Sequence, residues 1–276
     1  MSTHSKQIGD IAVTALSDGV LAAPLDVVLG LDTAEVERLA GKQAGEPLHI
    51  AVNAFLLERA GKYALVDTGS GNTMGPTLGK LADNLRASGV APERIETIFL
   101  THLHPDHSNG LVDDAGNAIY PNAELVLHEA EAAFWLDRDE ASGATERIRR
   151  NIAKAAVTTR PYRARMRTVR EGEAVPGVSA VLLAGHTPGH TGWLIQSGKD
   201  GLLIWGDVVH LASIQIQRPD TGLIYDVDPQ AACATRRRML DRVAADKLKV
   251  AGAHLDFPGF GGIVRRGAGF GFEPAA

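Results

Sequence analysis

Three histidines and an aspartate lie within six positions near the middle of the sequence: His102, His104, Asp106 and His107. Neutral imidazole and carboxylate groups are the nitrogen and oxygen ligands that zinc and similar divalent ions use in proteins. The offset of two residues allows His102 and His104 to face one way on an extended loop, while the following pair turns toward a second point. The segment therefore predicts a metal site.

Further donors, which such a site would need, follow short apolar runs elsewhere in the chain. They are Asp67, His186, His190, Asp207, His210 and His254. Seven of the ten histidines lie in these segments or in the first cluster, which random scatter would not produce. Because loops at strand ends build most sites of α/β folds, we expect these groups to converge at one edge of the sheets. Spacing alone does not decide between His186 and His190.

Apolar runs and helical spacings predict the elements that carry these donors. Strands are predicted at residues 11–16, 49–58, 62–66, 95–101, 123–127, 178–184, 202–205 and 248–251. Helices are predicted at residues 33–40, 77–88, 129–136, 145–157 and 229–245, with Thr33 and Asp228 as N-caps. Residues 17–19 predict a turn, and residues 60–61 predict a hairpin. The predicted strands are paired in the first part of the chain and alternate with helices in the later part. This order favours a layered α/β fold with mixed sheets.

The bulk composition excludes some classes of function. The 276 residues are 45% hydrophobic, which is enough for one large core, and the net charge of −5 argues against a nucleic-acid partner. Two arginine groups, at positions 147, 149 and 150 and at positions 236–238, are the nearest candidates for a basic patch. Each lies in a predicted helix next to acidic residues, so we interpret both as solvated helix faces.

The cellular location is predicted from the same simple features. A single cysteine, Cys233, cannot form an internal disulfide and favours a reducing compartment. The polar first ten residues lack the pattern of a signal peptide, and the apolar runs are shorter than the ~20 residues of a membrane span. We expect a cytoplasmic protein without a membrane partner, unless a leader was removed before this sequence begins.

The cluster at 102–107, taken with His186, Asp207 and His254, resembles the metallo-β-lactamase superfamily. Flanking segments are similar to its methyl parathion hydrolase branch: residues 14–19 (TALSDG), 53–56 (NAFL), 65–69 (LVDTG), 75–80 (GPTLGK), 185–191 (GHTPGHT), 205–207 (WGD) and 253–259 (AHLDFPG). The resemblance implies a four-layer αββα sandwich of two mixed β-sheets flanked by helices. It also implies a single domain over residues 1–276, with residues 1–47 as an extension involved in forming a homodimer.

The resemblance also assigns the metal ligands. One ion would be held by His102, His104 and His186, the other by Asp106, His107 and His254, with Asp207 bridging the two. Asp67 and His190 would support the ligands by hydrogen bonding. The ions are expected to be zinc, with manganese, iron or cobalt as alternatives, because mixed imidazole and carboxylate donors accept all of them.

The expected chemistry is hydrolysis of a small molecule by a hydroxide that bridges the two ions. Asp106, Asp207 and His210 are the predicted catalytic residues. His210 stands where the lactonase branch of the superfamily carries a tyrosine, and it either polarises the substrate or only packs nearby. Met74 and Trp135 are predicted to line the substrate pocket, although Trp135 could equally be a core residue.

The predicted substrate is a lactone or carboxylic ester, with a phosphotriester as a side activity. Met74 falls where methyl parathion hydrolase has an aromatic residue, which places organophosphate turnover in doubt. A glyoxalase-II-like thioesterase is one alternative, but we identify no clear set of basic residues to hold an acidic thioester. A non-catalytic metal-binding protein is the other alternative.

Overall fold

The computed structural model describes residues 4–137, 144–267 and 269–275. The described residues form two seven-stranded sheets with helices on their outer faces. The first sheet holds, in spatial and chain order, β1 (Ser5–Ile8), β2 (Ile11–Ala23), β3 (Leu48–Arg59), β4 (Lys62–Val66), β5 (Ile95–Phe99), β6 (Glu124–His128) and β7 (Met166–Val169). Neighbouring strands run antiparallel from β1 to β4 and parallel from β4 to β7, so the sheet is mixed.

The second sheet is built from the C-terminal half of the chain. Its strands are β8 (Gly172–Val175), β9 (Val178–Leu182), β10 (Thr191–Ser197), β11 (Asp200–Ile204), β12 (Lys249–Ala251), β13 (Phe260–Arg266) and β14 (Gly269–Pro274). Their spatial order runs from β14 through β13, β12, β11, β10 and β9 to β8. The β11–β12 pair is parallel and the other pairs are antiparallel.

The helices are α1 (Thr33–Ala40), α2 (Leu81–Ala87), α3 (Pro105–Ser108), α4 (Glu129–Trp135), α5 (Glu146–Thr159), α6 (Ala212–Gln215) and α7 (Pro229–Asp246). The Asp228 side chain caps α7 by accepting from the Ala231 amide, and Pro229 occupies the first helical position, as predicted. The predicted cap of α1 is wrong by one residue. Asp32, rather than Thr33, accepts from the Glu35 amide at 2.8 Å, because its carboxylate reaches the free amides of the first turn.

Three apolar layers hold these elements together as a four-layer αββα sandwich, which confirms the predicted fold. Neighbouring residues of one strand point to opposite faces, so Phe99 packs between the sheets against Trp193 while Ile98 packs under the outer helices. Helix α7 covers the second sheet through Met239 and Leu240. Because both faces of the central strands are buried, these strands are almost continuously apolar, which made them recognisable in the sequence.

The turn predicted at residues 17–19 is wrong. Strand β2 continues to Ala23, and the register shifts between Ser17 and Gly19 in a β-bulge. Asp18 is buried in this bulge and accepts hydrogen bonds from the backbone amides of Ser70, Gly79 and Leu81. A buried carboxylate that accepts several hydrogen bonds is stable within a strand. Helix α2 begins at Leu81, whose amide is one of these donors, and not at residue 77 as predicted.

The interpretation of both arginine groups as solvated is only partly right. Arg149 and Arg150 are exposed, but Arg147 is half-buried and donates to the carbonyl oxygen of Tyr225 at 2.9 Å. Arg236 is 1% exposed and donates to the carbonyl oxygens of Val208, Pro219 and Thr221. Buried guanidinium groups need such acceptors, and the folded loops supply them.

Among the described residues, no helix is both long and apolar enough to cross a membrane.

Candidate metal centre

Five chain segments that follow strands meet at one edge of the sandwich. The loop after β5 carries the cluster at 102–107, and α3 begins within it at Pro105. The loops after β9, β11 and β12 carry His186, Asp207 and His254, and Asp67 follows β4 directly. The structure therefore brings together the donors that the strand-end pattern selected. All of them are buried except Asp106, which is partly exposed.

Asp207 lies at the centre of this group. Its two carboxylate oxygens are surrounded by the Nε2 atoms of five imidazoles, those of His102 (3.6 Å), His107 (3.2 Å), His186 (3.1 Å), His210 (3.0 Å) and His254 (3.1 Å). The carboxylate of Asp106 lies 3.5 Å from the Nε2 atoms of both His107 and His254. The carboxylate of Asp207 thus lies between two groups of possible ligand atoms.

Most of these imidazoles are oriented by a hydrogen bond on the other ring nitrogen. Their Nδ1 atoms lie within 3 Å of a partner: His102 near Thr101 Oγ1 (2.9 Å), His107 near Asp67 Oδ2 (2.8 Å), His186 near Asp226 Oδ1 (2.8 Å) and His254 near Ala51 O (2.7 Å). Metal-binding histidines are commonly held in this way, with the second nitrogen directed at the ion. Here the second nitrogen of each is Nε2, which faces Asp207.

The donor set fits divalent ions. The ligand atoms of His102, His104 and His186 lie within 4.8 Å of one another, and so do those of Asp106, His107 and His254. Several buried polar atoms in the described structure have no hydrogen-bond partner: Nε2 of His102, His104 and His107, Oδ1 of Asp207 and Nδ1 of His210. Because buried polar atoms are almost always satisfied in native proteins, this convergent group is typical of a site that binds cations.

The charges of the cluster are strongly coupled. Burial lowers the pKa of His102 and His104 well below the usual value, so these imidazoles are neutral. Burial acts in the same direction on His186, but the carboxylates of Asp207 and Asp226 outweigh it and raise its pKa to about 9. Burial would raise the pKa of Asp207, yet the surrounding imidazoles hold it well below its usual value. Asp207 is therefore an anion that attracts cations into the cluster.

His190 is excluded from the cluster by its own hydrogen bonds. Its Nδ1 atom donates to the carbonyl oxygen of Leu183 at 3.0 Å, and its Nε2 atom accepts from the backbone amide of Asp207 at 2.9 Å. Burial lowers its pKa to about 3, which is consistent with a neutral ring that both donates and accepts. His190 therefore positions the loop of Asp207, and His186 is the residue of this motif that faces the centre.

Asp67 also occupies a supporting position. Its carboxylate accepts from the Thr101 amide and the Thr101 hydroxyl, both at 2.8 Å, and it contacts His107 Nδ1 at the same distance. It therefore joins the end of β4 to the loop that carries the histidine cluster. Its backbone has a φ of 64°, a left-handed conformation that aspartate tolerates better than most residues.

Two supporting carboxylates were missed in the sequence. Asp226 contacts His186, and hydrogen bonding to that imidazole outweighs burial and lowers the pKa of Asp226 to about 2. Asp226 lies in an irregular segment that does not directly follow a strand, so the strand-end pattern could not select it.

Glu131, the second, lies on α4 and is fully buried. Its carboxylate accepts from the Leu103 amide (2.9 Å), the Trp135 indole (2.6 Å), the Thr187 hydroxyl (2.6 Å) and the Gly189 amide (3.0 Å). It therefore ties the loop that carries His102 and His104 to the loop that carries His186.

A cavity of about 170 Å³ opens onto the cluster. Met74 lines this cavity, whereas Trp135 does not. The Trp135 side chain is 1% exposed, donates to Glu131 and packs its ring edge-on against His104 at 5.5 Å between centroids. The core alternative for this tryptophan is therefore right, because its indole nitrogen has its partner inside the helix layer. His210, Arg147, Asn151 and Tyr225 also line the cavity.

Comparison with known protein families gives an independent view of the fold and site. Residues 48–254 match the family described as "Metallo-beta-lactamase superfamily". This region includes all of the predicted metal ligands. An N-acyl homoserine lactonase of Bacillus cereus is 27% identical over 181 residues, covering 58% of this chain and 64% of the relative. The lactonase AiiB of Agrobacterium fabrum is 29% identical over 190 residues, covering 60% of this chain and 66% of AiiB. The chain thus spans just under two thirds of the length of these relatives.

Solved structures are similar over nearly the whole chain. The hydrolase AbOPH, described as a member of the beta lactamase superfamily, superposes with a TM-score of 0.93 at 32% identity, covering 99% of this chain and 97% of AbOPH. AidC, a dizinc quorum-quenching lactonase bound to a homoserine product, superposes with a TM-score of 0.91 at 26% identity, covering 100% of this chain and 98% of AidC. The similarity includes β1 and β2, which precede the region matched by the family.

Proposed function

Because this chain belongs to the metallo-β-lactamase superfamily, we propose that it is a dinuclear metal-dependent hydrolase of lactones or carboxylic esters. The observation that carries the proposal is the buried carboxylate of Asp207, which has the Nε2 atoms of five imidazoles within 3.6 Å. A cluster of this kind is costly to bury without cations between its members. The cavity beside it provides access for a small molecule.

We assign His102, His104 and His186 to one ion and Asp106, His107 and His254 to the other, with Asp207 as the shared ligand. Two of the four groupings of ligand atoms within 4.8 Å match this division, and Asp207 belongs to the other two, which supports the bridging role. We propose zinc as the native metal, supported by the donor types and by the description of AidC as a dizinc enzyme. Asp67, Asp226 and His190 would hold the ligands and their loops in place.

Two bound divalent ions would supply Lewis acidity and a water molecule of lowered pKa at the floor of the cavity. The protein's own contribution is to position the reacting groups. Asp106 and Asp207 would supply the carboxylate ligands of the centre. The neutral imidazole of His210 would donate a hydrogen bond to the substrate carbonyl. The apolar side chains of Leu21, Ile50 and Met74 line the cavity and would exclude water from the rest of the substrate.

We propose lactones as the first substrate class, with carboxylic esters next and phosphotriesters as a side activity. The names of the relatives support lactones, since several are N-acyl homoserine lactonases and AidC is a lactonase. The small cavity supports a substrate of modest size.

The assembly and location are also proposals. We propose a homodimer in which residues 1–47 take part, supported by the 42% exposed side chain of Val20 on β2. We propose a cytoplasmic location, supported by the single, unpaired cysteine. Light scattering of the purified protein would test the homodimer, and a monomeric mass would reject it.

Metal analysis combined with a hydrolysis panel tests the function. We expect two equivalents of metal per chain and turnover of acyl-homoserine lactones or aryl esters, and methyl paraoxon provides the phosphotriester arm. The Asp207→Ala variant should lose turnover and release metal more readily, because it removes the shared ligand. Near-normal activity of this variant would reject the bridged two-metal centre. Full metal occupancy without turnover of any substrate would favour a non-catalytic metal-binding protein.

A further inference from the structure

Helix α5 forms a polar wall of the cavity beside the metal centre. Arg147 and Asn151 are four residues apart, so they lie on the same side of the helix, and both line the cavity. Arg149 and Arg150 of the same helix are exposed. Arg147 is therefore the arginine of this helix that meets the site.

The guanidinium of Arg147 keeps part of its hydrogen-bonding capacity. It donates to the carbonyl oxygens of Tyr225 at 2.9 Å and Asp226 at 3.5 Å, which uses two of its five N–H groups. These are the hydrogen bonds of its side chain among the described residues. A half-buried cation with three remaining donors favours an oxygen acceptor within the cavity.

Three other lining residues of the cavity are different in character. Leu21, Ile50 and Met74 come from strands β2 and β3 and from the segment after β4, and they form an apolar wall. A substrate that satisfies both walls has an alkyl part against these side chains and an oxygen acceptor toward α5. An unsubstituted alkyl lactone satisfies the apolar wall alone.

We propose that Arg147, with Asn151, forms a subsite for a second sp² oxygen of the substrate, separate from the carbonyl that is hydrolysed. An amide carbonyl and a carboxylate both present such an oxygen. This proposal rests on the proposed hydrolase function. Arg147 is then a specificity-determining residue, and the enzyme prefers acylamino- or carboxylate-substituted lactones over alkyl lactones.

The test compares two lactones with the same ring, one carrying an acylamino group and the other an alkyl chain of similar length. In the Arg147→Met variant, the ratio of kcat/KM for the acylamino lactone to that for the alkyl lactone should fall about 10- to 100-fold, because a charge-assisted hydrogen bond is lost. The fall should lie mainly in KM. The Arg150→Met variant removes an exposed arginine from the same helix, and its ratio should match the wild type.

A structural role for Arg147 predicts another result. If Arg147 only braced the segment at 225–226, both lactones would lose activity equally and the ratio would not change, which would overturn the subsite. A carboxylate-substituted lactone forms a third arm. A greater loss with this lactone than with the acylamino lactone would identify the preferred acceptor as anionic, and a smaller loss would identify it as a neutral carbonyl.

Binding of lactam analogues separates this proposal from the proposed activity. Calorimetry would compare an acylamino lactam and an alkyl lactam on the metal-loaded wild type and on Arg147→Met. The subsite predicts that the acylamino lactam loses about 10-fold or more in affinity in the variant, even if the wild type hydrolyses no lactone. Unchanged affinity, or failure of the wild type to bind either lactam, would overturn it.

Discussion

The Nδ1 atom of His186 lies 2.8 Å from the Oδ1 atom of Asp226, 40 residues further along the chain. The other nitrogen of the same ring lies 3.1 Å from Asp207. The second oxygen of Asp226 accepts from the Leu223 amide at 2.9 Å, which fixes the carboxylate in place. His186 is therefore held between a supporting carboxylate and the central one.

We predict that Asp226→Asn weakens metal binding about 10- to 100-fold, because the support of a ligand histidine contributes that much to affinity. The amide oxygen of asparagine can still accept one hydrogen bond, so the fold should be retained. Competition with a chromophoric chelator would measure the affinity. Asp200→Asn changes an exposed aspartate on β11 and serves as the control. Equal affinities of the two variants would show that Asp226 does not support the centre.

We predict that Glu131→Gln lowers the free energy of unfolding by about 2 kcal/mol and also weakens metal retention. The new amide nitrogen would face the Gly189 amide, so one buried donor loses its acceptor. Urea unfolding of the metal-free protein would measure the first effect. Glu129→Gln is the matched control, because Glu129 is exposed on the same helix and pairs with Arg170 at the surface. A loss of stability as large in the control would contradict the role of Glu131.

The sequence selected side chains that converge at one edge of the sandwich, because each lies within a few residues of the strand that positions it. The apolar runs of β5, β11 and β12 were evident, and the loops after them are short, so adjacency in sequence became adjacency in space. Six strands were not predicted: β1, β7, β8, β10, β13 and the edge strand β14. The segments of β13 and β14, FGGIVRR and GFGFEP, are interrupted by glycine and charged residues instead of forming an apolar run.

Contacts between distant segments could not be predicted in this way. Glu131 receives hydrogen bonds from Leu103 and from Gly189, which are 28 and 58 residues away. In the sequence it is one acidic residue of a helix, and helices commonly expose such residues. The same is true of Arg147, since helical spacing does not reveal which face meets a cavity that other segments complete.

We predict that metal binding releases about one to three protons at pH 7. The carboxylates of Asp207 and Asp226 overcome burial and raise the pKa of metal-free His186 to about 9, and the pKa of His254 is also raised, chiefly by Asp207 against burial. A proton on either imidazole competes with metal, and His186 loses its proton only as the pH approaches 9, so metal affinity should increase as the pH rises from 6 toward 9. Calorimetry in buffers of different ionisation enthalpy would count the protons. A binding enthalpy that is independent of buffer would contradict this charge assignment.

The role of His210 is open to a direct test. Its Nε2 atom lies 3.0 Å from Asp207 Oδ2, and its buried Nδ1 atom has no hydrogen-bond partner among the described residues. Burial, which outweighs the pull of Asp207, lowers its pKa to about 4, so the ring is neutral near pH 7. A neutral imidazole has one N–H, and Asp207 Oδ2 is the acceptor beside Nε2. If Asp207 binds metal instead, this N–H of His210 would be available to a substrate carbonyl in the cavity.

We predict that His210→Ala lowers kcat about 100-fold while metal content stays at the wild-type level, because a carbonyl donor is lost and the assigned ligands remain. His210→Tyr should recover much of the activity, since its hydroxyl can also donate. Steady-state kinetics and metal analysis on the same preparations would distinguish the roles. Loss of one metal equivalent in the alanine variant would make His210 a ligand, as its proximity to His186 and Asp207 also allows. Unchanged kcat would assign it to packing alone.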